Sequence, residues 1–130
     1  LKWDKSASGA IAQIKNKKPD FAVLSGDDGL TLPLIAAGGD GIISVASNMI
    51  PALMHELAAA GLDGDFKKAR EIHYRLAPFF KAEFCDGNPT SIKYAMNYKK
   101  MPSGPCRLPL VEVTDAAKKT IEAAIKECNL

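Results

Sequence analysis

Residues 21–48 read FAVLSGDDGLTLPLIAAGGDGIISVASN, and the order of apolar runs and glycines in this stretch decides the fold. Two short apolar runs, residues 21–25 and 42–46, are bounded by turn residues and separated by a helical pattern at residues 30–37. Short apolar runs without alternation are typical of parallel strands that are buried on both faces. A single short crossover joins neighbouring parallel strands, so the stretch predicts a β-α-β unit.

The same pattern extends upstream of this unit. Residues 3–5 have the pattern of the last part of another strand, and Ser8 is the predicted N-cap of a helix that runs to about residue 17. Three parallel strands alone leave two apolar edges with unpaired backbone groups. The sequence therefore predicts that further strands precede residue 1 and that the chain is part of a larger α/β domain.

After residue 48 the pattern changes to helices alone. The predicted boundary signals are Gly61 as the end of a helix over residues 50–60, Asp63 or Asp65 as the next N-cap, Asn88 as a cap with Pro89 at the first helical position, and Thr114 or Asp115 as the last N-cap. The second of these helices has an apolar stripe formed by Phe66, Ala69, Ile72, Leu76, Phe79 and Phe80.

Composition and charge exclude several classes of protein. The 130 residues include 17 Lys plus Arg and 15 Asp plus Glu, for a net charge of +2, which gives no reason to expect a nucleic-acid or membrane-surface partner. Every apolar run is far shorter than the roughly 20 residues that span a bilayer. The three cysteines lack CxxC spacing, which predicts a reduced, intracellular protein.

Two places carry candidate chemistry from the residues alone. Lys5 stands at the carboxyl end of the first predicted strand, where a desolvated amine has a lowered pKa and is a candidate for imine formation. A surface lysine is the alternative. Asp27 and Asp28 follow the second strand, where capping of the next helix is favoured over binding of a divalent cation.

Other polar groups give weaker signals. The glycine-rich residues 38–41 precede a strand and therefore predict a tight turn rather than a phosphate-binding loop. Ser44, Ser47 and Asn48 end the third predicted strand, where they either cap the next helix or contact a ligand. The histidines, His55 and His73, lack zinc-ligand spacing, and the basic residues 15–18 are interpreted as a solvated helix end.

Taken in order, five segments of the chain resemble the dihydrodipicolinate synthase family, in the N-acetylneuraminate lyase superfamily. The segments are KSASG at residues 5–9, LSGDD at 24–28, GGDGIISVASN at 38–48, Asn88-Pro89 with Lys93, and RLPL at 107–110. This resemblance implies an α/β fold that forms the C-terminal part of a (β/α)8 TIM barrel, with strands six to eight. Residues 1–62 would supply that part of the barrel, and residues 63–130 a C-terminal helical region.

The resemblance also implies an activity and its site. The family enzyme is a lyase of the Class I Schiff-base aldolase type, which condenses pyruvate with aspartate semialdehyde on the path to diaminopimelate and lysine. By motif, Lys5 would be the Schiff-base lysine, while Gly26 and the backbone of Ile43 would line the pyruvate site. The residues before Lys5 depart from the usual apolar pattern, which leaves Lys2 as a second candidate. No cofactor and no metal are predicted.

Some family residues have no counterpart in these 130 residues. The family's catalytic tyrosine, pyruvate-binding threonines and carboxylate-binding arginine lie upstream, so the chain by itself is predicted to be inactive. The resemblance further implies a cytoplasmic homotetramer, with lysine as a feedback inhibitor in some members. The alternatives are another Schiff-base lyase or aldolase of the superfamily, acting on N-acetylneuraminate or 2-keto-3-deoxy sugar acids, and a non-catalytic half-barrel that serves as an assembly piece.

Overall fold

Three short parallel strands form one sheet. The computed structural model describes the backbone of residues 2–3 and then residues 7–130. The strands are β1 (Lys2–Trp3), β2 (Leu24–Ser25) and β3 (Gly41–Ile42), in the order β1-β2-β3. Both pairs are parallel, and Trp3, Ser25 and Ile42 stand in one register row. The predicted parallel order is confirmed, and all three strands end at the same edge of the sheet.

The strands are much shorter than the predicted runs over residues 21–25 and 42–46. Before β2, Phe21 is exposed, and the N–H of Val23 donates to the Asp40 carboxylate at 2.7 Å rather than to a neighbouring strand. After β3, the N–H of Val45 donates to the Asp28 carboxylate at 2.9 Å. Side-chain acceptors thus replace ladder partners at both places, which ends the strands early.

Two helices pack beside the strands. The first helix, α1 (Ala7–Lys15), already contains Ser8, so the prediction of Ser8 as its N-cap is wrong: Ser8 lies in the first turn. The second, α2 (Thr31–Ala36), follows a 3-10 turn at Asp28–Leu30. A small apolar core joins these elements through Ala10, Ile14, Val23 and Leu34.

Four further helices build the larger core. They are α3 (Pro51–Leu62), α4 (Phe66–Ala82), α5 (Thr90–Tyr98) and α6 (Asp115–Glu127). Their apolar faces meet in one cluster, whose largest fully buried side chains are Leu57, Leu76, Phe79 and Ile121. Of the predicted stripe on α4, Ala69, Leu76, Phe79 and Phe80 are buried, Ile72 packs partly buried against the cluster, and Phe66 is exposed.

The predicted ends of these helices are partly confirmed. The side chain of Asp65 accepts the N–H of Lys68 at 3.0 Å, and that of Thr114 accepts the N–H of Ala117 at 3.3 Å, so both are N-caps. Gly61, in contrast, does not end its helix but lies buried within α3.

The end of α3 and the start of α5 both differ from the sequence prediction. A Cβ at Gly61 would lie 3.1 Å from Cγ2 of Ile35, so glycine here allows close approach of α3 to α2. Pro89 is not the first residue of α5, which begins at Thr90. The Thr90 hydroxyl donates to the Asp86 carbonyl at 2.8 Å, which ties the start of α5 to the preceding loop.

Two further features complete the described part of the chain. None of its helices is long and apolar enough to cross a membrane. Cys85, Cys106 and Cys128 are all free thiols, and burial raises the pKa of Cys128.

Candidate functional site

The predicted site residues lie at the carboxyl edge of the sheet, as far as the structure describes them. Lys5 and the side chain of Lys2 lie outside the described residues. Gly26 is buried and directly follows β2, and Ile43 directly follows β3 with half of its surface exposed. The N–H of Ile43 donates to the Ser25 carbonyl at 2.9 Å, which fixes the backbone of Ile43 against β2.

A buried carboxylate, Asp28, joins the loops that follow β2 and β3. Its side chain accepts the hydroxyl of Ser44, the N–H of Val45 at 2.9 Å and the N–H of Ala46 at 3.2 Å. The three donors belong to consecutive residues, so this one side chain holds the whole segment in place. Asp28 therefore fixes the backbone directly after Ile43.

Asp27 has the capping role that the sequence predicted for one of the two aspartates. Its carboxylate accepts the N–H of Gly29 at 2.8 Å and caps the 3-10 turn. Beside it, the buried Ser25 hydroxyl donates to the Asp27 carbonyl at 2.7 Å. The link from Asp28 to Ser44 was missed, because their separation of 16 residues has no recognisable sequence signature.

Ser44, Ser47 and Asn48 were predicted either to cap the next helix or to contact a ligand. The hydrogen bonds observed between them instead stabilise the turn that they form. The Ser44 oxygen accepts the N–H of Ser47 at 2.8 Å, and the Ser47 hydroxyl donates to the Ser44 carbonyl at 3.1 Å. The Asn48 amide donates to the Val45 carbonyl at 2.9 Å. These bonds hold the 3-10 turn Ala46–Asn48 that follows the site.

A second buried carboxyl group, Glu83, lies against Asp28 from the end of α4. Glu83 is fully buried, and no donor among the described residues reaches either of its carboxyl oxygens. Burial raises the pKa of Glu83 to about 10, with further contributions from the carboxylates of Asp28 and Asp27. Glu83 is therefore neutral at physiological pH, and it was not among the residues predicted for the site.

The glycine-rich turn before β3 is held by an ion pair. Lys17 Nζ lies 2.6 Å from both carboxylate oxygens of Asp40 and also donates to the Gly38 carbonyl at 3.0 Å. The hydrogen bond from Lys17, helped by the Val23 N–H, holds the pKa of Asp40 below its ordinary value. The prediction that residues 15–18 are only a solvated helix end is wrong for Lys17, because Asp40 is within its reach.

The histidines are not grouped into a metal site. No group of three or more His, Cys, Asp or Glu side chains placed to hold a metal ion occurs within residues 7–130. His55 is exposed on α3. The rings of His73 and Phe80 lie 5.7 Å apart, centroid to centroid, with their planes tilted by 54°, and burial lowers the pKa of His73.

A cavity of about 750 Å³ lies away from the sheet edge, between α5 and the loop over residues 104–113. On its wall, the hydroxyl of Tyr94 donates to Glu122 at 2.6 Å, and this bond raises the pKa of Tyr94 to about 12. A phenol with this pKa stays protonated at neutral pH.

The fold and this edge define a class of protein. Parallel strands joined by helices, with polar loops gathered at the strands' carboxyl ends, are typical of (β/α) enzymes that bind ligands at that edge. The sequence model of the Dihydrodipicolinate synthetase family matches residues 5–128, and the chain belongs to this family.

Curated relatives agree with the family assignment. The 4-hydroxy-tetrahydrodipicolinate synthase of Protochlamydia amoebophila (strain UWE25) is 48% identical over 130 residues, which cover 95% of this chain and 43% of that protein. The chain thus spans less than half the length of this relative.

Solved structures give the same result for the fold. A dihydrodipicolinate synthase from Aquifex aeolicus superposes with a TM-score of 0.92 at 40% identity, over 99% of this chain and 44% of that one. The Acinetobacter baumannii synthase complexed with pyruvate superposes with a TM-score of 0.89 at 28% identity, over 95% of this chain and 43% of that one. The Cyanidioschyzon merolae synthase with lysine bound superposes with a TM-score of 0.86 at 37% identity, over 97% of this chain and 44% of that one. The chain therefore has the fold of part of a (β/α)8 barrel.

Proposed function

We propose that this chain is the C-terminal part of a 4-hydroxy-tetrahydrodipicolinate synthase, a lyase that condenses pyruvate with aspartate semialdehyde in lysine biosynthesis. In this proposal β1, β2 and β3 are strands six to eight of the barrel. Residues 1–62 complete the barrel, and residues 63–130 are the C-terminal helical region. The relative that is 48% identical carries this name, and the family match covers nearly the whole chain.

The register of the sheet is the observation that carries the proposal. Trp3, Ser25 and Ile42 are aligned in one row across the three strands. The next residues of β2 and β3 are Gly26 and Ile43, and Lys5 follows Trp3 by two positions. Parallel strands bring the residues after their carboxyl ends to one side of the sheet. This topology supports a shared site for Lys5, Gly26 and Ile43.

Each of these residues has a role that its chemistry suits. The neutral amine of Lys5 attacks the keto carbon of pyruvate, and loss of water from the adduct leaves an imine. Loss of a methyl proton then gives an enamine, whose carbon attacks the aldehyde of aspartate semialdehyde. Gly26, without a side chain, allows the keto acid to approach the backbone. The Ile43 carbonyl accepts a hydrogen bond from the bound substrate, while the Ile43 N–H donates to the Ser25 carbonyl and holds this backbone in place.

Two ligand-bound relatives support the proposed partners. The synthase from Acinetobacter baumannii was solved with pyruvate, and that from Cyanidioschyzon merolae with lysine. We propose that the present protein also binds pyruvate and lysine, and that it is a homotetrameric, cytoplasmic enzyme. Residues 1–130 alone are expected to be inactive, because orientation and proton transfer by upstream groups supply much of the rate.

The proposal is tested by assaying the full-length protein that contains this chain. Pyruvate and aspartate semialdehyde should give the cyclic condensation product, while residues 1–130 alone should give none. Cleavage of N-acetylneuraminate or a 2-keto-3-deoxy sugar acid, without the condensation, would place the protein in another branch of the superfamily. Absence of turnover with every one of these substrates would favour a non-catalytic assembly role.

A further inference from the structure

Two carboxyl groups meet in the core beneath the proposed site. Asp28 belongs to the 3-10 turn after β2, and Glu83 is the last-turn cap residue of α4; both are fully buried. The Glu83 side chain lies within hydrogen-bonding reach of the Asp28 side chain. Two buried carboxylates in contact repel each other, so such a pair is stable only when it holds a proton between its oxygens.

The surroundings decide which group holds that proton. Asp28 already accepts from the Ser44 hydroxyl and from two backbone N–H groups, so its oxygens serve as acceptors. Glu83 has no donor among the described residues, and the charged groups that act on it, Asp28 and Asp27, are both acidic. Glu83 also stands at the carboxyl end of α4, where the helix dipole disfavours a negative charge.

We propose that Glu83 is a positioning residue, which donates its carboxyl proton to Asp28 and so holds the Ile43–Ala46 segment of the pyruvate site in its binding geometry. The proposal rests on the function proposed above, because it concerns the same site. Glu83 acts through Asp28 and touches no substrate. The donated bond orients the Asp28 carboxylate toward Ser44, Val45 and Ala46, and Ile43 directly precedes these residues.

The alternative is that Glu83 only fills space in the core. The two roles differ in what can replace the side chain. Glutamine keeps a donor of similar shape for Asp28, whereas leucine fills the volume but donates nothing. A positioning role therefore predicts that Glu83→Gln preserves the site and Glu83→Leu does not. A space-filling role predicts that Leu is at least as good as Gln.

The test compares these two variants in the full-length protein, by the KM for pyruvate, kcat and thermal unfolding. Glu83→Gln should keep the KM for pyruvate within about twofold. Glu83→Leu should raise this KM about fivefold or more, because losing one hydrogen bond weakens binding by about that factor. Glu83→Leu should leave the melting temperature equal or higher. Equal KM values in both variants would overturn the proposal.

A spectroscopic measurement keeps the proposal testable if Glu83→Leu does not fold. In wild-type protein labelled with ¹³C at the Glu side chain, the carboxyl resonance that Glu83→Gln removes should have the shift of a protonated acid at neutral pH. The shift of an ionised carboxylate would contradict the proposal. If the wild type binds no pyruvate but this resonance is protonated, the proposed function fails while the proton assignment for Glu83 stands.

Discussion

The Asp40 carboxylate binds Lys17 through both of its oxygens, each 2.6 Å from Nζ. One of these oxygens also accepts the N–H of Val23 at 2.7 Å. A single side chain thus joins the segment that follows α1, the approach to β2 and the turn before β3. This arrangement compensates for the shortness of the strands, which have few ladder hydrogen bonds of their own.

Replacing this carboxylate should destabilise the protein in a pH-dependent way. Because the pKa of Asp40 is lowered on folding, its contribution is present above the ordinary value of 3.8 and is lost as the pH falls through the folded value. Asp40 is partly exposed, so Asp40→Asn should cost about 1 kcal/mol at neutral pH, measured by urea unfolding of the full-length protein.

A matched control for this prediction is the exposed ion pair between Lys68 and Glu56, which lie 2.9 Å apart. Glu56→Gln removes the same type of charge pair without any backbone bond, and should destabilise the protein less than Asp40→Asn, because solvent screens this exposed pair. Equal losses of stability for Asp40→Asn and Glu56→Gln at neutral pH would show that the bond from Asp40 to the Val23 N–H adds nothing to its ion pair with Lys17.

Gly39 should tolerate no larger residue. A Cβ at this position would lie 2.8 Å from the Leu34 carbonyl oxygen and 3.1 Å from the Leu34 carbonyl carbon. Both are backbone atoms, which cannot move aside as a flexible side chain would. We expect Gly39→Ala to destabilise the protein by about 1–3 kcal/mol, as measured by the unfolding midpoint in urea. An unchanged midpoint would mean that the turn before β3 can shift freely.

Stability should decrease as the pH rises, because of Glu83. Its pKa is raised on folding from 4.5 to about 10, so between these values the folded protein retains a proton that the unfolded chain releases. The linkage relation then gives a falling free energy of unfolding over this interval. The stability of Glu83→Gln relative to wild type should therefore increase from about pH 5 to about pH 9. A constant difference would show that Glu83 ionises normally.

Tyr94 should matter for stability and not for substrate binding. Tyr94→Phe removes the 2.6 Å bond to Glu122 and should cost about 0.5–1.5 kcal/mol, with an unchanged KM for pyruvate. Tyr98→Phe is the control, because Tyr98 stacks on Tyr94 but its hydroxyl has no hydrogen-bond partner in residues 7–130. A large rise of the KM in Tyr94→Phe would place the cavity beside α5 in the substrate path.

The sequence predicted the parallel sheet well because apolar runs between glycines carry that signal directly. Capping by Asp65 and Thr114 was also predictable, since a cap depends on residues three positions away. The strand lengths were not, because Asp40 and Asp28 accept backbone N–H groups that lie 17 residues from them. Such a bond between distant residues leaves no periodic pattern.

The candidate site was predictable only in part. The family resemblance singled out Gly26 and Ile43, and in the structure both directly follow strands at the carboxyl edge of the sheet. The burial of Glu83 against Asp28 was hidden, because an acidic residue near a helix end normally lies in solvent. The sequence held only an indirect sign: Glu83 follows the buried Phe79 by four positions on the same face of α4.

The most direct test of the account is the site of imine formation in the full-length protein. Pyruvate with borohydride should leave a stable, reduced adduct on the peptide that contains Lys5, seen by mass spectrometry. Lys5→Ala should abolish the adduct and Lys2→Ala should retain it. An adduct on Lys2, or wild-type protein without any adduct, would contradict the assignment of Lys5 as the reacting amine.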